Sequence, residues 1–282
     1  MKRIFSSHFL SLLLVLPAVL FVLSSARAPE KMESVYDEQD NIMLWQAPSA
    51  EHWLGTDGIG YDVWDFLRLA IKTDIELFIF PLILFLIVGM SLGIVLSYAK
   101  GTLNKLFDGL FNLLNSIPLI LILLIIIIVI EGFFPQFNTF EKLFLLFSIF
   151  GVVASSKLAI EIRGKIDTIR NSDFVESTIA LGVKPWLILF KHIIYYNCMT
   201  IIIANVLNFL SQLIFIEITL AYLNLGASGD VLSLGNMFHK YFMFITAFTS
   251  IDQWQIAIPS LITIYLITIV TIYANKMKSN VE

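Results

Sequence analysis

The chain has 282 residues, of which 58% are hydrophobic and 14% charged, and a formal net charge of −4. Soluble domains hold roughly 45–50% apolar and about 25% charged residues, so most of this chain is solvated by lipid. The small net charge gives no electrostatic footprint for nucleic acid. The single cysteine, Cys198, rules out an intramolecular disulfide, and His8, His52, His192 and His239 lack metal-ligand spacing.

A helix that crosses a bilayer takes about 20 mostly apolar residues. In chain order the candidate spans are His8–Ala26, Ile75–Tyr98, Phe107–Ile130, Leu143–Ile162, Met199–Leu220 and Gln255–Ala274. A closed barrel is the other way to satisfy backbone groups in lipid. It needs period-two alternation, and "LILILLIIIIVI" (119–130) is apolar on every face. The expected fold is therefore an all-α polytopic membrane protein with about six spans. Residues 1–26 form the first helix, 27–72 an acidic extracytoplasmic segment, 73–275 the main transmembrane domain with a polar loop at 163–195, and 276–282 a cytoplasmic tail. "MKR", an apolar run and "ARA" (26–28) also fit a cleavable signal peptide; that apolar run is long for one.

Three features inside the spans stand out. Gly89, Gly93 and Ser97 recur every four residues, a spacing that lets helices approach closely. Pro118 in the third span predicts a kink. Asn205, Asn208 and Gln212 share one helical face in the fifth span, with Glu217 near its outer end. Polar groups in a membrane either bond a neighbouring helix or line a wet path, and both readings stay open for this face. Glu217 is expected to sit at the interface or to be paired.

Lys and Arg set the orientation. With the N-terminus inside, the inner segments hold Lys2, Arg3, Lys100, Lys105, Lys157, Arg163, Lys165, Arg170, Lys184, Lys191, Lys276 and Lys278. The outer segments hold only Arg27, Lys31, Arg68, Lys72, Lys142 and Lys240. This bias satisfies the positive-inside rule with both termini in the cytoplasm.

The polar loop contains "DFVESTIALGVKPWLILFKHI" (173–193). Asp173 and Glu176 have the spacing of a capping box with Asp as the cap. The helix they start runs through Val175, Ile179, Ala180 and Leu181. Gly182 predicts a sharp stop, and Pro185 suits the first turn of a second helix. Ordinary loops are short; this one builds a rigid cytoplasmic knob, suited to docking a soluble partner.

This stretch resembles the EAA loop of ABC-importer permeases that work with a binding protein. Glu176, Ala180 and Gly182 match the pattern, while Ser177 and Thr178 replace its two alanines and Ile194 and Tyr195 stand where Leu-Pro is usual. "HWLGTDGIGYDVWDFL" (52–67) resembles a segment typical of the C-type subunit of dipeptide, oligopeptide and nickel permeases, with Tyr61 in place of Arg. "NSIPLILIL" (115–123), "EIRGKIDTIRNSDFVES" (161–177) and "EITLAYLNLGASGDVLSLGNMF" (217–238) extend the likeness, with Leu234 in place of Trp. The resemblance runs in order from His52 to about Ala274.

It implies the type I ABC importer permease fold in a prokaryotic plasma (inner) membrane. Asp173, Val175, Glu176, Ala180, Leu181 and Gly182 would form a coupling helix docked on a separate ATPase. The implied partners are a second homologous permease, two ATPase subunits or domains and an extracytoplasmic substrate-binding protein. The chain has no phosphate-cradling G-x-x-x-x-G-K-[ST] of its own, so ATP and Mg would be bound by the ATPase partner and this chain would be no enzyme. The cargo would be a peptide or a nickel or other metal chelate. An ion-gradient-driven secondary transporter is the alternative; such folds often carry internal repeats and paired broken helices, and no repeat is visible in the spans. A membrane-embedded enzyme would need clustered His, Asp or Glu within the spans, which the sequence lacks.

Overall fold

The computed structural model describes residues 19, 22–99, 101–226, 231–247 and 254–279. The expected first span, His8–Ala26, lies almost wholly outside them. The described helices are α1 (Val63–Tyr98), α2 (Thr102–Ser116), α3 (Leu119–Phe133), α4 (Thr139–Arg170), α5 (Asp173–Ala180), α6 (Pro185–Tyr222), α7 (Leu234–Ala247) and α8 (Trp254–Ser279). Among the described residues, α1, α4, α6 and the Ala257–Ser279 part of α8 are long and apolar enough to cross a membrane, and α2 with α3 makes a further, bent pair. No strand longer than an isolated bridge occurs among them.

The chain divides into two compact units. The first comprises 1–77 and 211–270, the second 78–210 and 271–282.

In the first unit, the segment 28–62 is built from two loops of the same design, twenty residues apart. In one, the Asp37 carboxylate accepts the Gln39 and Asn41 N–H groups at 2.9 and 2.8 Å, and Tyr36 bridges Ile42. In the other, Asp57 accepts from Ile59 and Tyr61 at 2.9 Å each, and Thr56 bridges Asp62. The fourth residue of each loop takes a positive φ, 60° at Asp40 and 81° at Gly60. Asn and Asp tolerate that conformation, and Gly adopts it freely. The loops interlock: Val35 N–H donates to Gly60 O at 2.8 Å, and the Thr56 hydroxyl donates to Met43 O.

Asp62 then starts α1. Its carboxylate accepts the Asp65 N–H at 2.9 Å and pairs with His52 Nδ1 at 2.7 Å, an N-cap held from outside the helix. The helix therefore begins twelve residues before the apolar run that marks it in sequence. Its first turns bury Val63, Phe66, Leu67, Ala70 and Ile71 against Leu234, Met237 and Tyr241 of α7 and Leu266 of α8.

The second unit is the packed helical body. The glycine face of α1 lies on α4: a Cβ at Gly89 would come within 2.8 Å of Leu158, and one at Gly93 within 2.8 Å of Ile162. Such close approach is what small residues permit between membrane helices. Asn138 and Glu141 form a reciprocal capping box that starts α4. Pro118 does more than kink the third span: it separates α2 from α3 with a bend of 97°. Proline removes a donor and disfavours helical geometry at the residue before it, and Ile117 is extended at φ −78°, ψ 130°. The expected continuous span Phe107–Ile130 is therefore two helices.

Candidate coupling site

α5 is one residue out of register with the expected cap. Asp173 is the first helical residue and Ser172 the cap position, so Asp173 and Glu176 do not form a capping box. The Ser172 hydroxyl donates to Ile169 O at 2.6 Å, back into α4, and accepts no cap bond from the new helix. Asp173 and Glu176 still lie in the first turn, where the helix dipole favours negative charge.

The stop is as the sequence predicts. Gly182 has φ +81°. Its N–H donates to Ile179 O at 2.9 Å and the Val183 N–H to Thr178 O at 3.3 Å. These are the two bonds of a Schellman motif, in which the left-handed residue closes the last carbonyls of the helix. A Cβ at Gly182 would meet nothing within 4 Å, so the requirement for glycine is conformational. Pro185 stands in the first turn of α6. Residues Ile188–Cys198 of that helix then follow a widened i→i+5 course before the α-helical geometry resumes at Met199. Long π-type runs are rare, and shorter ones cluster at functional sites.

The knob turns little of itself inward. Val175 is buried at 4% exposure, whereas Ile179, Leu181 and Trp186 are 52%, 83% and 59% exposed. Glu176, Ala180 and Gly182 are exposed as well. Three large apolar side chains thus stand exposed on a short segment that ends in a Schellman stop.

Its base is anchored by residues that motif reading passes over. Arg170, in the last turn of α4, donates to Ser97 O at 2.7 Å and to Asp167 at 3.0 Å, and its guanidinium lies 5.3 Å from the centre of the Tyr98 ring. It thereby closes a carbonyl at the C-terminal end of α1, the end that favours a cation. Arg163 grips Asp108 of α2 at 2.6 Å. The periodic arginines of the loop approach are thus ties between helices.

The polar face of α6 divides along its length. Asn205 is buried, and its amide donates to Glu161 at 2.7 Å and to Ile201 O at 2.9 Å. The other oxygen of Glu161 accepts from Lys278 at 2.6 Å. Glu161 therefore clasps α4, α6 and α8, a role with no local sequence signal because Lys278 is 117 residues away. Asn208 is half-buried and Gln212 exposed. Glu217 is fully buried and paired: it accepts from the Ser233 hydroxyl at 2.5 Å and from the Gly235 N–H at 2.6 Å, at the start of α7. A Cβ at Gly235 would lie 2.5 Å from the Glu217 carboxylate, so glycine is needed there for the approach.

Several apolar spans, tightly packed helices and a rigid polar knob between two of them describe a membrane permease driven from outside its own chain. Residues 86–278 match the family model described as "Binding-protein-dependent transport system inner membrane component", and the chain belongs to that family. It is a multi-pass permease subunit of an ABC importer in the plasma membrane, and the ATPase is a separate subunit.

Curated relatives agree. The chain is 26% identical to the dipeptide transport system permease protein DppC of Alkalihalophilus pseudofirmus over 239 residues, covering 85% of this chain and 74% of the relative. It is 26% identical to the oligopeptide transport system permease protein OppC of Bacillus subtilis over 236 residues, 83% and 73% of the two chains. It is 25% identical to the glutathione transport system permease protein GsiD of Pectobacterium atrosepticum over 201 residues, 71% and 64%. These similarities support the C-type permease assignment, with an ATPase and a substrate-binding protein as partners in general.

Proposed function

We propose that this chain carries peptides or similarly sized amide-linked cargo, forms half of the translocation path beside a second, homologous permease, and takes its drive through α5. The observation that carries the coupling role is the exposure of Ile179, Leu181 and Trp186 on a capped polar knob. Surface leucines occur singly on any protein, but an apolar group rimmed by polar residues marks an interaction site. Leu181 is the anchor, and the ATPase holds ATP and Mg. The peptide reading of the cargo is supported by the relatives, whose names specify dipeptide, oligopeptide and glutathione transport. A nickel or other metal chelate remains the rival cargo. Within the path, Asn208 and Gln212 are the lining candidates, while Asn205 ties helices through Glu161.

The test is a reconstituted importer assayed for vanadate-sensitive, ATP-dependent uptake of labelled di- and oligopeptides. A cysteine at Leu181 should cross-link to the ATPase, and Leu181→Asp should abolish co-purification of that subunit. Uptake that runs on an ion gradient without ATP would refute the importer's drive. Normal uptake by Leu181→Asp would refute the docking role.

A further inference from the structure

We propose that α2 does not cross the membrane and instead lies along the inner surface of the bilayer, with its leucine stripe immersed in lipid. Two ion pairs on α4 locate it. Lys142 bonds Glu131 of α3 at 2.8 Å, and Arg163 bonds Asp108 of α2 at 2.6 Å. The two basic residues are 21 positions apart on one helix (163 − 142). At 1.5 Å per residue that is about 31 Å, the thickness of the hydrocarbon layer. Lys142 and Arg163 therefore stand about one hydrocarbon thickness apart along α4, which puts Arg163 and its partner Asp108, in the middle of α2, near the inner boundary.

The bend settles the direction. α3 joins α4 through the short turn 134–138 and runs back along it, sharing the Glu131–Lys142 pair. α2 leaves that course by 97°. α3 is 15 residues long, about 22 Å, and it follows α4, which is long enough to cross; a helix turned by about a right angle from that shared course runs near the plane of the membrane.

The faces of α2 fit that placement. One side is held by protein: Phe111 is buried with Leu96 and Ala159, the Asn104 amide donates to Ala99 O at 2.7 Å, and Asp108 meets Arg163. A second side carries exposed Lys105 and Asn112. The third presents Leu103, Leu106, Leu110 and Leu113, exposed by 49%, 67%, 47% and 57%. Their spacing of three, four and three residues makes a single stripe. That stripe continues in sequence into the exposed Leu121, Ile125, Ile128 and Val129 of α3. Helices with an apolar face beside a cationic one lie in the interface with the apolar side about 5–10 Å deep, and Lys105 suits the anionic inner leaflet.

Spin labels measure the placement in the complete importer, assembled with its partner subunits in phosphatidylcholine–phosphatidylglycerol nanodiscs. Cysteines at Leu103, Leu106, Leu110 and Leu113 are introduced singly in a Cys198→Ala chain. If that background does not assemble, Cys198 stays in place, since it is buried, and the signal of the parental chain is subtracted. Accessibility to oxygen and to a water-soluble nickel chelate gives each depth. All four sites should favour oxygen and lie within one shallow layer, and labels at Lys105 and Asn112 should favour nickel. A crossing helix would instead change depth by about 15 Å from Leu103 to Leu113, so a spread above half that value overturns the proposal. Shielding from both reagents would show a protein partner on the stripe, and nickel access at all four sites would show water; either result also overturns it.

Discussion

The segment 28–62 and the knob 173–185 both interrupt the apolar course of the chain, and they are stabilised in different ways. The first is closed on itself. Its loops are pinned by Asp37 and Asp57, stitched together by backbone bonds such as Val35 to Gly60 and Trp45 to Asp57, and backed by buried Phe66 and Tyr241. The knob buries Val175, ends in a Schellman stop and leaves Leu181 in the open. The outer segment also exposes apolar side chains, Trp53 by 64%, but its loops are held by their own hydrogen bonds; the knob exposes Leu181 by 83% with few such ties, and burying a leucine is worth about 1.5–3 kcal/mol wherever the burial takes place.

The two loops of the outer segment also differ from each other. Asp37 is exposed, and the N–H and side-chain bonds from Asn41, with help from the Gln39 N–H, pull its carboxyl below the usual carboxylate range. Asp57 has the same two N–H partners, but burial dominates and pushes its carboxyl up; Lys240, whose own ammonium is pushed down by burial, opposes that rise. One motif thus shifts its carboxylates in opposite directions, with hydrogen bonds the largest cause at Asp37 and burial the largest at Asp57.

Glycine substitutions give the largest effects on stability and the sharpest contrast. Gly60 has φ +81°, and a Cβ there would overlap Ile42 Cγ2. Gly60→Val should cost roughly 2–4 kcal/mol, from backbone strain plus overpacking, and show as loss of folded protein and of protease resistance in the outer segment. Gly182 has the same φ but open space around it, so Gly182→Val should cost only about 1–2 kcal/mol. Protein carrying that change should insert normally but fail to couple ATP hydrolysis to uptake. Gly182→Asn, which tolerates positive φ, should retain most of the coupling. Equal unfolding by Gly60→Val and Gly182→Val would erase the distinction between the two regions.

Glu161→Ala removes acceptors from both Asn205 and Lys278 and should destabilise the second unit by on the order of 1.5–3 kcal/mol. Thermal unfolding of the purified complex reads this directly, and Lys278→Met should reproduce only part of it. Leu181→Ser should change stability by no more than about 0.5 kcal/mol. Its effect should fall on affinity: losing a hot-spot contact of about 2 kcal/mol weakens ATPase binding by well over tenfold. Intact ATPase affinity with lowered thermal stability would reverse the reading of the knob.

The smallest effects are in pH. Asp37 has a lowered folded pKa, so its stabilisation is present above the unfolded value of 3.8 and is lost as pH falls through the folded value. Asp57 has a raised folded pKa, so its ionised form burdens the folded state at neutral pH, and that burden lifts as pH falls toward 3.8. Hydrogen exchange of peptides from 28–62 should show protection rising on mild acidification, then falling below about pH 4. Asp57→Asn should remove the rise and Asp37→Asn should soften the fall.

Periodicity and local chemistry determined much of this protein without any coordinates. Four of the five spans expected after residue 75 could be read because lipid requires long apolar runs with internally satisfied backbones. The stop at Gly182 and the start at Pro185 could be read because each depends on one residue's own conformational limits. The close face at Gly89 and Gly93 followed from its four-residue spacing. Tertiary structure decided what depends on distant partners. α5 starts at Asp173 with Ser172 in the cap position, one residue from the expected start and without a capping box. Asn205 could have lined a path or bonded a helix, and Glu161 decided between them. Glu217 found its partners at Ser233 and Gly235, across a loop. Pro118 signals a break in any sequence, but whether that break bends a span slightly or by 97° depends on what α4 offers on either side, and Lys142 and Arg163, 21 residues apart on one helix, offer two different ties.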